Sequence, residues 1–225
     1  MYIEKVNSPA DVKKLSVSEM NGLGGEIRQV LLNKLSSHGG HVGPNLGMVE
    51  ATIALHYVFD SPMDKIVYDV SHQSYTHKIL TGRRAAFMNA DEYDEVSGYS
   101  EPSESEHDFF VIGHTSTSVS LASGLAKARD LKGEAGNVIA VIGDGSLSGG
   151  EAFEGLNVVP NWARTSSSLS TITRCPLPRI MAGYTAICEQ LRETEGSGSL
   201  QTIFERAMGI LIISYDEGWQ MTWSN

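Results

Sequence analysis

The run AVIGDGSLSGG, residues 140–150, puts one carboxylate, Asp144, between two glycines at the end of an apolar stretch. An aspartate there suits Mg2+, a hard cation that takes oxygen ligands and shares its shell with phosphate oxygens. Gly143 and Gly145 would let backbone approach a diphosphate closely, and the start of the next helix favours an anion. The rival reading is a dinucleotide fingerprint, G-x-G-x-x-G/A. Ser148 stands at its third glycine, and Asp144 would face a pyrophosphate without a metal. The metal reading therefore ranks above it, and a plain tight turn is the third possibility.

Four of the seven histidines sit in turns rich in Gly or Ser: His38 and His41 in SSHGGHVGPNLG, His72 in DVSHQSY and His114 in VIGHTSTS. Taken singly, each reads as a turn cap or a satisfied core histidine. Their spacings do not match the short ligand pairs of zinc sites. Placement lifts the group. His72 follows one apolar run, His114 follows FFVIG and precedes a helical pattern, and Asp144 follows a third run. In a parallel sheet these strand ends converge on one edge, where ligands bind. Imidazoles beside a metal-bound diphosphate could give and take protons. Ser116, Thr117 and Ser118 could cap the helix after His114.

The elements that must position these groups follow from periodicity. Ile27, Val30, Leu31 and Leu35 share one face of a helix over 17–37, ended by Gly39-Gly40. Residues 46–59 are apolar on most sides and predict a buried helix. KIVYDV (65–70) reads as a strand, NVIAVIGDG (137–145) as a buried strand ending in a glycine turn, and 117–131 as a helix of small residues able to pack closely. The polar, acidic stretch 85–108, with GYSEPSESEHD, predicts a surface loop. Strands alternating with helices imply an α/β fold, a parallel sheet with helices on both faces.

Composition narrows the function classes. A net charge of -10 over 225 residues argues against a nucleic-acid partner. No apolar run approaches the roughly 20 residues that span a bilayer, and MYIEKVNSPADVKK has no apolar signal core, so a cytoplasmic location is expected. Cys175 and Cys188 make neither a disulfide framework nor a zinc set.

SSHGGHVGPNLGMVEATIALHYVF, DVSHQSYTHKILTGRR, SESEHDFFVIGHTSTSVSLASGLAKARDLKG and VIAVIGDGSLSGGEAFEGLN together resemble the N-terminal domain of the 1-deoxy-D-xylulose-5-phosphate synthase family. That family is thiamine-diphosphate-dependent and transketolase-like. The resemblance runs from about residue 17 to Asn157 and implies a thiamine-diphosphate-binding fold. It implies Asp144 as a Mg2+ ligand, with Gly145 and Ser146 beside the diphosphate. Gly113, His114 and Thr115 would line the cofactor. His72 would touch cofactor and substrate, and His41 would assist proton transfer. The family joins pyruvate and D-glyceraldehyde 3-phosphate into 1-deoxy-D-xylulose 5-phosphate with loss of CO2, for isoprenoid precursors and thiamine. It also implies a homodimer.

Two departures stand out. Nothing in the chain matches the family's pyrimidine-binding domain or its third domain. In addition, where the family carries an apolar strand and Asn-Asp-Asn, whose last Asn is the second side chain on Mg2+, this chain has Ser170-Thr171-Ile172-Thr173. From Trp162 to Cys188 there is no Asp or Glu, while Arg164, Arg174 and Arg179 make the stretch basic. An ordinary Ser/Pro-rich linker is one reading. A shifted reading frame is the sharper one. Codons shifted by two bases force glycine at Trp162-Ala163 and Met181-Ala182 and allow Asn-Asp-Asn at Ser170 to Thr173. Met221-Thr222 forces Asp in the same way.

The expected organisation is therefore a diphosphate-binding domain over 1–161, an aberrant segment over 162–188, and a remnant with a disrupted tail over 189–225. Such a chain lacks a core strand, the second metal ligand and the pyrimidine domain, and is expected to be inactive by itself. The alternative is a non-catalytic binding module, or half of a split enzyme completed by a partner chain.

Overall fold

The computed structural model describes residues 1–162, 169–174, 210–214 and 220–222, with side chains through residue 157. They fall into two compact units, Met1–His114 and Thr115–Asn225.

The N-terminal unit begins with a 3-10 turn, Ile3–Lys5, and α1 (Pro9–Val12). Helix α2 (Val17–His38) follows. Its start is set by Ser16, whose backbone N–H donates to Glu19 Oε2 at 2.8 Å while its hydroxyl accepts from Glu19 N at 3.3 Å. This reciprocal cap satisfies two donors that a helix start leaves open. Its end is set by Gly39 and Gly40 at φ 89° and 127°, values that an L side chain tolerates poorly. Two helices, α3 (Val42–Gly47) and α4 (Val49–Val58), then replace the single helix expected over 46–59. Strand β1 (Lys65–Tyr68) leads to α5 (Tyr75–Lys78), a wide turn over Ile79–Arg83, α6 (Ala85–Met88) and a 3-10 turn over Ala90–Glu95. The predicted face of α2 is the buried one. Leu23, Ile27, Val30, Leu31 and Leu35 pack with Val49 and Ile53 of α4, and with Tyr75, Ile79, Leu80 and Phe87.

The C-terminal unit contains α7 (Ser118–Lys132), β2 (Val138–Val141), α8 (Asp144–Leu147) and α9 (Gly150–Trp162). Helix α7 packs on β2 and α9. Its small residues allow close approach: a Cβ on Gly155 of α9 would lie 2.9 Å from Ser120 Oγ. All four residues of β2 are buried.

The sheet corrects one expectation. Residues Leu169–Arg174 do form a strand, β3, parallel to β2 with Val138 opposite Leu169 and Val141 opposite Ile172. Thr171, Ile172 and Thr173 are β-branched, which suits a pleated strand despite the polar composition that pointed away from one. Strands β4 (Ile210–Ser214) and β5 (Gln220–Thr222) extend the sheet antiparallel, β3 to β4 and β4 to β5. The parallel pairing is thus that of β2 with β3. The expected Ser/Pro-rich features at Cys175, Pro176, Pro178 and Cys188 lie outside the described residues. The fold is α/β. Among the described residues no helix is long and apolar enough to cross a membrane.

Candidate functional site

Strand β1 delivers His72 through a strained turn. Val70 and Ser71 both hold positive φ, 58° and 70°. For a β-branched valine this is an unfavourable conformation, kept only where surrounding contacts over-determine it. Ser71 N donates to Asp69 O at 2.5 Å. The Ser71 hydroxyl donates to Ile112 O at 2.9 Å and accepts from Ser100 N at 2.9 Å. Gln73 Nε2 donates to Asp69 O at 2.9 Å. These bonds fix the crest on which His72 stands.

His41 is brought to the same place by the Gly39-Gly40 corner, which aims the chain into α3. The His41 and His72 rings lie edge to face, centroids 5.2 Å apart, and Tyr99 sits 5.5 Å from His41 on another side. The Tyr75 hydroxyl is 3.3 Å from His41 Nδ1. Burial lowers the pKa of His72, and the neighbouring His41 lowers it further. His72 is therefore neutral near pH 7, able to accept a proton at one nitrogen and donate at the other. A cleft of about 280 Å³ opens beside His41, lined also by Lys34, Gly39, Tyr75, Ser97 and Gly98.

In the C-terminal unit, Asp144 opens α8 directly after β2 and its glycine turn. A Cβ at Gly143, Gly145 or Gly113 would meet nothing within 4 Å. Among the described residues no contact demands glycine at these positions. Ser116, at φ 70°, donates its hydroxyl to Ser146 O at 2.6 Å, so it ties the loop before α7 to α8 rather than capping α7. The Thr117 side chain makes no cap bond either. Gly113, His114 and Thr115 are exposed in that loop, and FFVIG (109–113) forms no strand. The donor set suits a diphosphate with one carboxylate-held cation. Among the described residues no group of three His, Cys, Asp or Glu side chains could hold a metal unaided.

The predicted residues thus divide: His41 and His72 are brought together in the N-terminal unit, Gly113 and His114 lie in its last loop, and Thr115, Asp144, Gly145 and Ser146 belong to the C-terminal unit.

One constellation escaped the sequence reading. The acidic stretch expected at the surface turns inward. Asp108 is 5% exposed and accepts from His77 Nε2 at 3.0 Å and from Arg83 at 2.7 and 3.0 Å. His77 Nδ1 in turn meets His56 Nε2 at 2.9 Å. Glu104 receives Lys78 at 2.5 Å and Arg83 at 3.1 Å. Both carboxylates also accept backbone N–H groups, Ser97 N to Glu104 at 2.5 Å and Glu101 N to Asp108 at 2.9 Å. Burial by itself would raise the Asp108 pKa, but the bonds from His77 and Arg83 outweigh it and hold the carboxyl well below the usual range. Burial pushes His56 and His77 down, so both imidazoles are neutral at pH 7. The sequence pointed elsewhere: Lys78 and Arg83 in HKILTGRR need acidic partners once buried, but Asp91, Glu92, Asp94 and Glu95 lie closer to them in sequence than Glu104 and Asp108 do.

This is an α/β protein in which His72 follows strand β1, His41 follows a glycine corner, and Asp144 follows β2 and its glycine turn. The family model described as 1-deoxy-D-xylulose-5-phosphate synthase matches residues 3–170. The chain belongs to that family. Similar proteins include the 1-deoxy-D-xylulose-5-phosphate synthase of Dictyoglomus turgidum, 54% identical over 159 residues, covering 71% of this chain and 26% of the relative. That of Pelotomaculum thermopropionicum is 55% identical over 155 residues, 69% of this chain and 24% of the relative. That of Caldanaerobacter subterraneus subsp. tengcongensis is 56% identical over 155 residues, 69% and 25%. The chain spans about a quarter of the length of the curated relatives it matches.

Proposed function

We propose that this chain is the thiamine-diphosphate- and Mg2+-binding portion of a cytoplasmic 1-deoxy-D-xylulose-5-phosphate synthase, a transferase supplying isoprenoid and thiamine biosynthesis. The whole reaction joins pyruvate to D-glyceraldehyde 3-phosphate with loss of CO2, and the working assembly is a homodimer. Asp144 binds Mg2+, and Gly145 and Ser146 lie beside the diphosphate. Gly113, His114 and Thr115 line the cofactor. His72 reaches cofactor and substrate, and His41 moves a proton. When bound, the cofactor supplies the electron sink; the chain supplies position and protons.

The observation that carries this reading is the meeting of His41 and His72, from two separate motif blocks, 5.2 Å apart beside an open cleft. Two imidazoles in edge-to-face contact suit proton transfer on a carbonyl substrate.

The chain by itself does not catalyse the condensation. Ser170-Thr171-Ile172-Thr173 offers no carboxamide or carboxylate as second metal ligand. We read 162–188 as translated out of frame, with 1–161 as the intact domain and 189–225 as its remnant; the gene's DNA across codons 155–195 decides this. If those codons, shifted by two bases, do not spell an apolar strand and Asn-Asp-Asn, that reading fails. The second reading is half of a split enzyme completed by a partner chain. Turnover is assayed with pyruvate and D-glyceraldehyde 3-phosphate, first with the chain alone and then with a pyrimidine-domain chain added. No turnover alone is expected, and turnover alone refutes the claim of inactivity. Activity on addition favours the split enzyme.

A further inference from the structure

Asn45 lies inside the HVGPNLG block and is fully buried. Its amide nitrogen donates to His41 O at 2.7 Å and to His72 O at 2.8 Å. Its amide oxygen accepts from Tyr75 N at 3.0 Å. Both amide protons and one lone pair are thereby used. The orientation of the amide is fixed, because a reversed group would set its oxygen against two carbonyls.

The three backbone points it holds belong to two segments: His41 at the start of α3, and His72 and Tyr75 on the turn that runs from β1 into α5. Each bears a side chain of the cluster. Tyr75 is 5% exposed, and burial raises its pKa, so its hydroxyl stays protonated. That hydroxyl faces His41 Nδ1 at 3.3 Å. Gly40 keeps the contact open, since a Cβ there would stand 3.0 Å from the same oxygen and 2.6 Å from Leu35 Cδ2.

We propose that Asn45 is the positioning residue that holds the His41 and His72 rings edge to face, and that the Tyr75 hydroxyl donates to His41 Nδ1 and so keeps the His41 proton on Nε2. The functional weight of this clamp rests on the reading that the two imidazoles serve the cofactor and substrate. Backbone hydrogen bonds supply most ordinary loop anchoring. Here one side chain joins the segment that bears His41 to the one that bears His72 and Tyr75.

The test is long-range proton–nitrogen NMR of the histidine rings in the full 225-residue chain, with His56 and His77 as internal reference. In the wild type, His41 carries its proton on Nε2 and shows ring-to-ring proton contact with His72. Asn45→Ala loses that contact and shifts both rings, while the His56 and His77 signals stay. Tyr75→Phe shifts His41 towards a mixture of tautomers and leaves the His72 contact in place. Unchanged His41 and His72 signals in Asn45→Ala overturn the proposal. If Asn45→Ala abolishes the fold, seen as loss of the His56 and His77 signals, Tyr75→Phe decides: release of the His41 tautomer supports the proposal and an unchanged tautomer overturns it. Thiamine diphosphate with Mg2+ is then added to the wild type. No response of His41 or His72 removes the functional reading and leaves the clamp standing, whereas a response in a chain whose clamp variants are silent does the reverse.

Discussion

Asp108→Asn removes one negative charge and one acceptor oxygen from the interior without changing side-chain volume. All four groups around the Asp108 carboxylate are donors: His77 Nε2, two guanidinium nitrogens of Arg83 and the backbone N–H of Glu101, at 2.7 to 3.0 Å. A carboxamide keeps one oxygen and presents an NH2 group at the other position, so two donors lose their acceptor in either orientation. One of the two belongs to Arg83 in each case. A lost bond to a charged group costs about 1.5–3 kcal/mol and a neutral one about 1 kcal/mol. Arg83 retains Glu104 at 3.1 Å, which keeps the loss at the low end of that for breaking a buried ion pair. The expected destabilisation is about 3 kcal/mol. At about 2–4 °C per kcal/mol for a chain of this size, the melting temperature drops by about 6–12 °C. Urea and thermal denaturation measure it, with Glu106→Gln as the control. Glu106 is two residues away, exposed, and loses the same charge, so its effect should stay within about 0.5 kcal/mol. If Asp108→Asn matches the control, the stretch 97–108 is the plain surface loop its composition suggests, and the buried network carries no stability.

Acid should weaken the N-terminal unit well before its carboxylates titrate. Burial depresses the folded pKa of His56 and His77 below the ordinary value of about 6.5, so below that pH the unfolded chain takes up protons that the folded one does not. Stability therefore falls as pH drops from 7.5 to 5.5, by up to about 3 kcal/mol for the two groups, and denaturant midpoints across that range check it. Gly40→Ala should cost about 1–3 kcal/mol, since its Cβ would stand 2.6 Å from Leu35 Cδ2 at φ 127°, and thermal unfolding reads the loss. Gly145→Ala should leave stability within about 0.5 kcal/mol, because its Cβ meets nothing, yet weaken binding of thiamine diphosphate measured by calorimetry.

Helix α2 was legible because its apolar residues keep a strict helical spacing and two glycines end it. Strands β1 and β2 were legible as apolar runs, and His41 and His72 as histidines in glycine- or serine-rich turns. Strand β3 was not, since LSTITR has one strongly apolar interior residue and its strand tendency lies in β-branching rather than in hydrophobicity. The inward turn of 97–108 was hidden for a different reason. Acidic composition predicts solvent exposure until the cations that neutralise it are identified, and Lys78, Arg83 and His77 lie 21 to 31 residues away in sequence. Asn45 gave no signal at all: a buried amide in a turn looks like any turn residue until its three partners are known. The positive φ of Val70 was equally silent, because valine is the residue least expected there.

Isothermal titration of the full chain with thiamine diphosphate, with and without Mg2+, tests the central claim most directly. The account predicts binding that requires Mg2+ and is lost in Asp144→Ala, a variant whose fold should persist because Asp144 opens the short helix α8 only half-buried, next to the exposed Gly143 and Gly145. Binding that is indifferent to Mg2+ or to Asp144, or no binding by a folded wild-type chain, would contradict it.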